Sequence, residues 1–250
     1  MINFVGAGSG AVDLITVRGS KLLSEADVII YAGSLVNKEL LSYSKDDCDI
    51  YDSAKMTLED VIGVMEENRD KDIVRLHTGD PCLYGAIKEQ MDILDEKGMT
   101  YNYVPGVSSF CGAAAALKTE YTLPDVTQTV IITRMEGRTP VPENEKMRLL
   151  ASHGSTMVIF LSTGLIPKLV DELLAGGVYT KDTNVALVYK ATWDDEKVYR
   201  CTLETLEKIA RDNNITKTAL ITVGDFLGGD YDRSKLYDPT FTTEFREASK

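Results

Sequence analysis

The N-terminal stretch Ile2–Gly10, INFVGAGSG, decides the fold of this chain. Its apolar residues Ile2–Val5 are typical of a buried strand, and they run directly into a glycine-rich turn. An amphipathic stretch over Asp13–Leu23 follows and predicts a helix. A strand, a glycine-rich turn and a helix in that order indicate an α/β fold.

The same alternation continues through the first half of the chain. Further strands are predicted at Val28–Tyr31, Cys48–Tyr51, Ile73–His77 and Tyr101–Val104. Further helices are predicted at Thr57–Asn68, with Thr57 as N-cap, at Leu83–Glu96 and at Ser108–Leu117. Strands that alternate with helices predict a parallel sheet.

The pattern restarts after Thr119–Thr127, a segment with Pro124 and little periodicity. Strands are then predicted at Val130–Thr133, Thr156–Leu161, Asn184–Lys190, Lys197–Cys201 and Thr218–Val223, and helices at Asn144–Ser152, Pro167–Leu174 and Leu203–Asp212. A length of 250 residues fits one large or two compact domains. We therefore predict two domains, residues 1–117 and 118–250.

Composition excludes several classes of protein. With 27 basic and 39 acidic residues the net charge is −12, which argues against binding nucleic acid or anionic lipid by bulk electrostatics. Neither a leader peptide nor an apolar run long enough for a bilayer is expected, and a cytoplasmic protein is predicted. The four cysteines lie far apart and there are two histidines, so neither a disulfide framework nor a metal site is expected.

Four strand ends carry glycine, proline or serine, and ligands collect at the carboxyl ends of strands in such sheets. They are Gly6–Gly10, Thr78–Pro81, Pro105–Ser109 and Ser162–Gly164, expected at one sheet edge. The first, continued by Ala11, fits a loose dinucleotide-binding pattern. The second strand ends at Tyr31 without the acidic residue that this pattern needs, so a turn that permits close backbone approach is favoured.

The turn Thr78-Gly79-Asp80-Pro81 has two interpretations. Its carboxylate could accept hydrogen bonds from a ligand, or it could form an Asx turn ahead of the next helix. Pro105–Ser109 could likewise be a ligand loop or a connection with a serine N-cap. Two such loops at one edge favour a ligand site.

Other polar and sulfur-containing residues near these loops also have more than one interpretation. Arg134 and Arg138 could hold carboxylates or offset the acidic surface. His77 could face a cleft, although a hydrogen-bonded structural histidine is favoured, and His153 is expected at the surface. Cys82 and Cys111 are expected to be small core residues.

Taken together, four motifs resemble the tetrapyrrole (corrin/porphyrin) methyltransferases. They are Val5–Gly10, Leu76–Pro81, Pro105–Phe110 and Thr133-Arg134. Two more, Tyr31–Val36 and Glu136–Pro140, resemble the branch that methylates C11 of precorrin-4 in cobalamin synthesis. One departure is Ser9, which stands where the wider family often has proline.

The resemblance implies two αβα domains with a cleft that binds S-adenosylmethionine, a tetrapyrrole substrate and a homodimer. The residues implied for the methyl donor are Ser9, Gly79, Asp80, Pro81, Tyr84, Ser108, Ser109, Leu161, Ala191 and Ala219. Those implied for the tetrapyrrole are His77, Arg134, Glu136 and Arg138. No catalytic base is identified, and the resemblance implies no protein-bound metal.

Three alternatives stay open at this point. One is a sister enzyme of the same fold that methylates another tetrapyrrole carbon, and another is a methyltransferase for ribosomal RNA or a modified protein histidine. The third is a non-catalytic regulator that binds a nucleotide at the first glycine loop. Whether the macrocycle already carries cobalt is also open.

Overall fold

The computed structural model describes residues 1–249, which divide into two compact units. The first unit comprises Met1–Ala113 and, from much later in the chain, Lys190–Glu196. The second comprises Ala114–Tyr189 and the chain from Lys197 onward. Each unit contains its own sheet, which confirms the predicted two-part α/β fold class. Within the described chain no helix is both long and apolar enough to cross a bilayer.

The strands and helices alternate through most of the chain. In order they are β1 (Ile2–Gly6), α1 (Val17–Glu25), β2 (Val28–Tyr31), β3 (Asp49–Asp52), α2 (Leu58–Glu67), β4 (Ile73–His77), α3 (Lys88–Glu96), β5 (Tyr101–Val104), α4 (Ser109–Leu117), β6 (Val130–Arg134), α5 (Met147–Ala151), β7 (Thr156–Phe160), α6 (Ile166–Ala175), β8 (Asn184–Tyr189), β9 (Lys197–Thr202), α7 (Leu203–Asp212) and β10 (Ala219–Val223).

The first sheet is parallel throughout, with the strand order β3-β2-β4-β1-β5. All five residues of β1 are buried, because the strand lies between β4 and β5 and apolar side chains cover both faces. Val5 belongs to the core on one face, and Phe4 belongs to the core on the other. This placement puts the turn after β1 between the turns after β4 and β5.

The second sheet corrects the expectation of parallel strands throughout. Its order is β6-β7-β10-β8-β9, and only β6 and β7 run parallel. The other three pairings are antiparallel. Most residues of β7, β8 and β10 are buried, so their sequences lack the polar alternation that commonly marks antiparallel strands.

Three predicted helices begin at least three residues later than expected, and one of them is the helix predicted from Asn144, which begins at Met147. The first predicted helix is divided into a short 3₁₀ turn, Val12–Leu14, and α1. The helix predicted from Leu83 begins at Lys88, because Tyr84 and Ala86 adopt positive φ angles of 57° and 49° that an α-helix does not accommodate. The helix predicted over Leu203–Asp212 is found with those bounds.

Helix α2 begins as predicted at Thr57. The Thr57 side chain accepts a hydrogen bond from the Asp60 backbone N–H at 3.2 Å, and the Asp60 carboxylate accepts one from the Thr57 N–H at 2.9 Å. These reciprocal bonds satisfy two backbone donors that the helix cannot pair internally.

Replacing Thr57 with alanine removes one of these two bonds. We expect Thr57→Ala to lower the free energy of unfolding by about 1 kcal/mol. Urea unfolding followed by circular dichroism measures the change, and Thr100→Ala is the control, since Thr100 is exposed and lies outside any helix cap. Equal stability of the two variants would contradict the role given to this cap.

Candidate functional site

Three of the four predicted ligand loops lie side by side at one edge of the first sheet. Gly6 of β1 pairs with His77 of β4, and the neighbouring Val5 pairs with Val104 of β5. Beyond the strands the backbones stay joined, since Ala7 N donates to His77 O at 2.7 Å and Gly79 N donates to Gly8 O at 2.8 Å. The prediction of a shared edge is confirmed for these three loops. It is wrong for Ser162–Gly164, which follows β7 of the second sheet.

Glycine at Gly6, Gly79 and Gly106 allows the three loops to approach each other. A Cβ built on Gly106 would lie 2.3 Å from the Gly79 carbonyl oxygen and 2.7 Å from Gly6 Cα. One built on Gly6 would lie 2.6 Å from Gly106 Cα. Gly79 itself has a φ of 59°, a backbone angle that residues with a side chain rarely adopt. The loops are therefore packed backbone against backbone.

The Asp80 carboxylate ties two of these loops together. Its Oδ1 accepts hydrogen bonds from Cys82 N at 2.8 Å and from the phenol of Tyr103, and its Oδ2 accepts one from Gly106 N at 3.0 Å. Burial disfavours the charged carboxylate, but these bonds outweigh it and the pKa of Asp80 lies below its ordinary value. The Asx turn foreseen as one interpretation is present, and the carboxylate also reaches the loop after β5.

Tyr103 is a member of this site that sequence reasoning missed. Its phenol donates to Asp80 and also accepts a hydrogen bond from Cys82 N at 3.0 Å. Burial and the adjacent carboxylate raise the pKa of Tyr103 well above its ordinary value, so the phenol keeps its proton at neutral pH. Within β5 this tyrosine reads only as a strand residue, and no local signal indicates its partner.

The serines implied by the family resemblance lie on the same loops. Ser9 and Ser108 are almost fully buried, at 7% and 6% exposed. Ser9 Oγ is 3.0 Å from Thr192 Oγ1, and Ser108 O accepts a hydrogen bond from Cys111 N at 3.0 Å at the start of α4. Ser109 is half-buried as the first residue of α4.

The remaining first-unit candidates differ in exposure. Pro81 is buried, while Tyr84 is 43% exposed in its positive-φ turn. Ala191 is 6% exposed in the segment Lys190–Glu196, which belongs to this unit and not to the second domain as predicted. Their roles in binding a donor stay predictions.

His77 lies in the core of the first unit. It is 4% exposed, and its ring centroid is 6.2 Å from that of Phe4. Burial, together with the charge of Arg75, lowers the pKa of His77 to about 3, so the ring is neutral at physiological pH. Its Nε2 is buried and has no hydrogen-bond partner among the groups that the structure describes. The predicted contact with a tetrapyrrole stays a prediction.

Both cysteines of this edge correct the sequence interpretation. Cys82 and Cys111 were expected in the core, but both are exposed. Cys82 lies in the turn that Asp80 and Tyr103 hold, and desolvation raises the pKa of both thiols above the ordinary value. They are therefore mostly protonated at neutral pH.

In the second unit, Arg134 supports its own loop. Its guanidinium donates to the carbonyl oxygens of Met135 and Thr139, both at 3.2 Å, and of Pro140 at 2.9 Å. Arg138, inside the loop so held, is exposed. Glu136 is half-buried and lines a cavity of about 170 Å³ with the cationic residues Lys146, Arg148 and Lys168.

Leu161 and Ala219 also belong to the second unit. Leu161 is 66% exposed and has a φ of 51°. The next residues are firmly held, because Ser162 Oγ accepts from Met135 N at 2.8 Å and Thr163 Oγ1 donates to Ala219 O at 3.1 Å. Non-glycine residues with a positive φ cluster at functional sites, which makes Leu161 a candidate. Its contact with a donor stays a prediction.

The fold and these motifs define a class of protein. Residues 1–207 match the family of tetrapyrrole (corrin/porphyrin) methylases, and the chain belongs to this family. The family predicted from the sequence motifs is thereby confirmed.

Individual relatives agree with the predicted branch. The chain is 55% identical, over 98% of its length and 96% of the relative's, to a cobalt-precorrin-4 C(11)-methyltransferase from Methanocaldococcus jannaschii. It is 41% identical to a precorrin-4 C(11)-methyltransferase from Sinorhizobium sp, with 98% of both chains covered. The X-ray structure of a cobalamin biosynthetic enzyme, cobalt precorrin-4 methyltransferase, superposes with a TM-score of 0.89 at 48% identity, covering 91% of this chain and 96% of that one.

The packing of the three loops can be tested by adding one methyl group. We expect Gly106→Ala to lower the free energy of unfolding by about 1–3 kcal/mol, because backbone atoms of two loops must move. Gly63→Ala is the matched control, since a Cβ there meets nothing within 4 Å and helix α2 gains up to about 1 kcal/mol from alanine. Urea unfolding compares the two variants, and an unchanged stability of Gly106→Ala would contradict the close approach.

The hydrogen bond between Tyr103 and Asp80 should affect how the stability of the protein depends on pH. A carboxylate with a depressed pKa stabilises the fold above its unfolded pKa of about 3.9, and this contribution is lost as pH falls through the folded value. Removing the phenol should move the Asp80 pKa upward toward its unfolded value, so Tyr103→Phe should be less stable than the parent at neutral pH and should lose less stability than the parent as pH falls below about 5. Carboxyl carbon titration by NMR and acid unfolding both measure this shift.

Tyr101→Phe is the control for this experiment, since Tyr101 lies on the same strand but donates to exposed Asp95 at 3.1 Å. We expect Tyr101→Phe to leave the Asp80 titration unchanged. An Asp80 pKa that is the same in the parent and in Tyr103→Phe would show that the phenol does not hold this carboxylate.

Proposed function

We propose that this chain transfers a methyl group from S-adenosylmethionine to C11 of precorrin-4 or cobalt-precorrin-4 in cobalamin biosynthesis. The observation that carries the proposal is full-length similarity, at 55% and 41% identity, to relatives named for this reaction. Both relatives act at C11 by name, and only one name includes cobalt, so the proposal covers both forms of the macrocycle.

The loops of the first sheet fit the donor. Their backbone groups lie at an edge where glycine leaves no side chain in the way, and the nearly buried hydroxyls of Ser9 and Ser108 lie on the same loops. Serine hydroxyls and backbone amides can form hydrogen bonds with the carboxylate and the ribose hydroxyls of S-adenosylmethionine. The chemistry it supplies when bound is an electrophilic methyl group on sulfur. We propose that Ser9, Gly79 and Ser108 bind the methyl donor and that Asp80 fixes the loops on which they lie.

Asp80 has a supporting part in this proposal. Three donors from the protein already bond to its two oxygens, so its main effect is to fix the backbone between Gly79 and Gly106. Holding donor and acceptor in line can supply several kcal/mol of the rate enhancement. Rigid loops favour that alignment, whereas equal stabilisation of donor and transition state would not speed the transfer.

The Arg134–Pro140 loop fits an acceptor that carries many carboxylates. The protein is acidic overall, at −12, so such an anion needs a local cation. Arg138 is exposed on a loop that Arg134 holds at three carbonyl groups. We propose that Arg138 contacts a carboxylate of the macrocycle while Arg134 keeps the loop in shape. A homodimer and a cytoplasmic location complete the proposal.

An assay with isotope-labelled methyl donor tests the function. The protein is incubated with S-adenosylmethionine that carries a carbon-13 methyl group and with precorrin-4 or cobalt-precorrin-4. We expect the labelled methyl at C11, located by carbon-13 NMR, and release of S-adenosylhomocysteine in equal amount. The rate with and without cobalt shows which form is the substrate.

Other outcomes would replace this function. Label at another ring carbon would assign the chain to a sister enzyme of the family. Label on ribosomal RNA or on a protein histidine derivative, with none on the macrocycle, would assign a different acceptor. Tight binding of NAD or ATP without any response to S-adenosylhomocysteine would indicate the nucleotide-binding regulator.

A further inference from the structure

The segment Lys190–Glu196 packs against the first glycine loop although it lies about 180 residues further along the chain. Thr192 is the point of contact. Its Oγ1 accepts a hydrogen bond from Ala11 N at 3.1 Å and lies 3.0 Å from Ser9 Oγ. One hydroxyl therefore bonds to a side chain and a backbone group of the same loop.

Thr192 is held in a conformation that its side chain disfavours. Its φ is 70°, which is unusual for a β-branched residue. The Thr192 N–H donates to Glu196 Oε2 at 2.6 Å, and Trp193 N donates to Lys190 O at 3.0 Å, so the turn is fixed from both sides. A strained backbone angle such as this positive φ persists only where surrounding contacts hold the residue in place. Residues with such angles cluster at functional sites.

Close packing fixes the segment against the loop. A Cβ built on Gly10 would lie 2.2 Å from Trp193 Cδ1 and 2.9 Å from Ala191 O. A Cβ on Gly112 of α4 would lie 2.7 Å from Ser9 Oγ and 3.2 Å from Thr192 Cγ2. A side chain at Gly10 or Gly112 would therefore displace this segment or Ser9, so glycine at both positions permits the close packing.

The direction of the hydrogen bonds follows from the donors available. The Ala11 N–H donates a hydrogen bond to one lone pair of the Thr192 hydroxyl oxygen. The Thr192 O–H can then donate a hydrogen bond to Ser9 Oγ. A Ser9 hydroxyl that accepts from Thr192 keeps its own proton for another acceptor. That acceptor would be a carboxylate or carbonyl oxygen of a bound molecule.

We propose that Thr192 is a positioning residue for the methyl donor, because it orients the Ser9 hydroxyl to donate and holds the Ala11 amide in place. This inference rests on the proposed function, since the ligand is the donor or its product. Thr192 acts through Ser9 and the loop and does not itself need to touch the donor.

The test measures S-adenosylhomocysteine affinity by calorimetry for the parent, Thr192→Val and Thr192→Ser. Valine keeps the shape and removes the hydroxyl, and we expect the Kd to rise about tenfold, which corresponds to 1.4 kcal/mol. Serine keeps the hydroxyl that bonds to Ser9 and Ala11, and the methyl group it lacks does not need to touch the donor, so Thr192→Ser should bind within about twofold of the parent. With enzyme turnover, valine should raise KM for the donor more than it lowers kcat.

A double-variant cycle separates positioning from general destabilisation. If Thr192 acts through Ser9, then Thr192→Val should weaken binding much less in a Ser9→Ala background than in the parent. Trp193 is the single tryptophan of the chain and lies against Gly10, so its fluorescence reports whether the segment stays in place in each variant. Thr192→Ala removes the hydroxyl with less strain and serves if the valine variant does not fold.

The outcomes distinguish the inference from the function on which it rests. Parent protein that binds S-adenosylhomocysteine no better than Thr192→Val or Thr192→Ala would overturn the positioning role and leave the function standing. Equal losses in the parent and Ser9→Ala backgrounds would also overturn it. Parent protein that shows no binding at all would overturn the proposed function itself.

Discussion

The contact on which the site depends is the approach of three backbone turns at Gly6, Gly79 and Gly106. A methyl group on Gly106 would lie 2.3 Å from the Gly79 carbonyl oxygen, and one on Gly6 would lie 2.6 Å from Gly106 Cα, so the turns meet only because Gly6 and Gly106 carry no side chain. The parallel ladder brings them together, because β1 lies between β4 and β5 and all three strands end at one edge. The polar groups of the edge are therefore held by packing before any ligand binds, and this lowers the cost of ordering the site on binding.

Hydrogen bonds from side chains then stabilise the contacts between the loops that glycine allows to approach. Asp80 joins the turn after β4 to the turn after β5, and Thr192 joins the turn after β1 to a segment from much later in the chain. Both use charge or a hydroxyl to satisfy backbone N–H groups that a tight turn leaves unpaired. A buried or half-buried hydrogen bond of this type costs more to lose than it contributes when formed, because its partner remains desolvated. This asymmetry makes Asp80, Tyr103 and Thr192 sensitive positions even without direct contact to a ligand.

The sequence was sufficient where the determinants are local. The buried strand Ile2–Val5, the N-cap Thr57 and the shared edge of three loops all follow from short patterns and the rules of parallel sheets, and the motifs identified the family. The antiparallel pairings of β10 with β7 and β8 could not be predicted, because these mostly buried strands have the same apolar pattern in either direction. The partners Tyr103–Asp80 and Thr192–Ser9 lie 23 and 183 residues apart, and no local pattern encodes such pairs.

Arg134 and Arg138 of the second unit have different roles although they lie on the same loop. For Arg134 and Arg138, four residues apart, the sequence allows either carboxylate binding or an offset to the acidic surface, but three N–H groups of Arg134 bond to carbonyl oxygens of their own loop. A guanidinium has five such donors in a rigid plane, so it can hold several carbonyls in one geometry that lysine cannot reproduce. The loop gains a fixed shape, and Arg138 is presented from it with less freedom to lose on binding. In a protein of charge −12, long-range attraction for an anion is absent, and affinity must come from such a preorganised local cation.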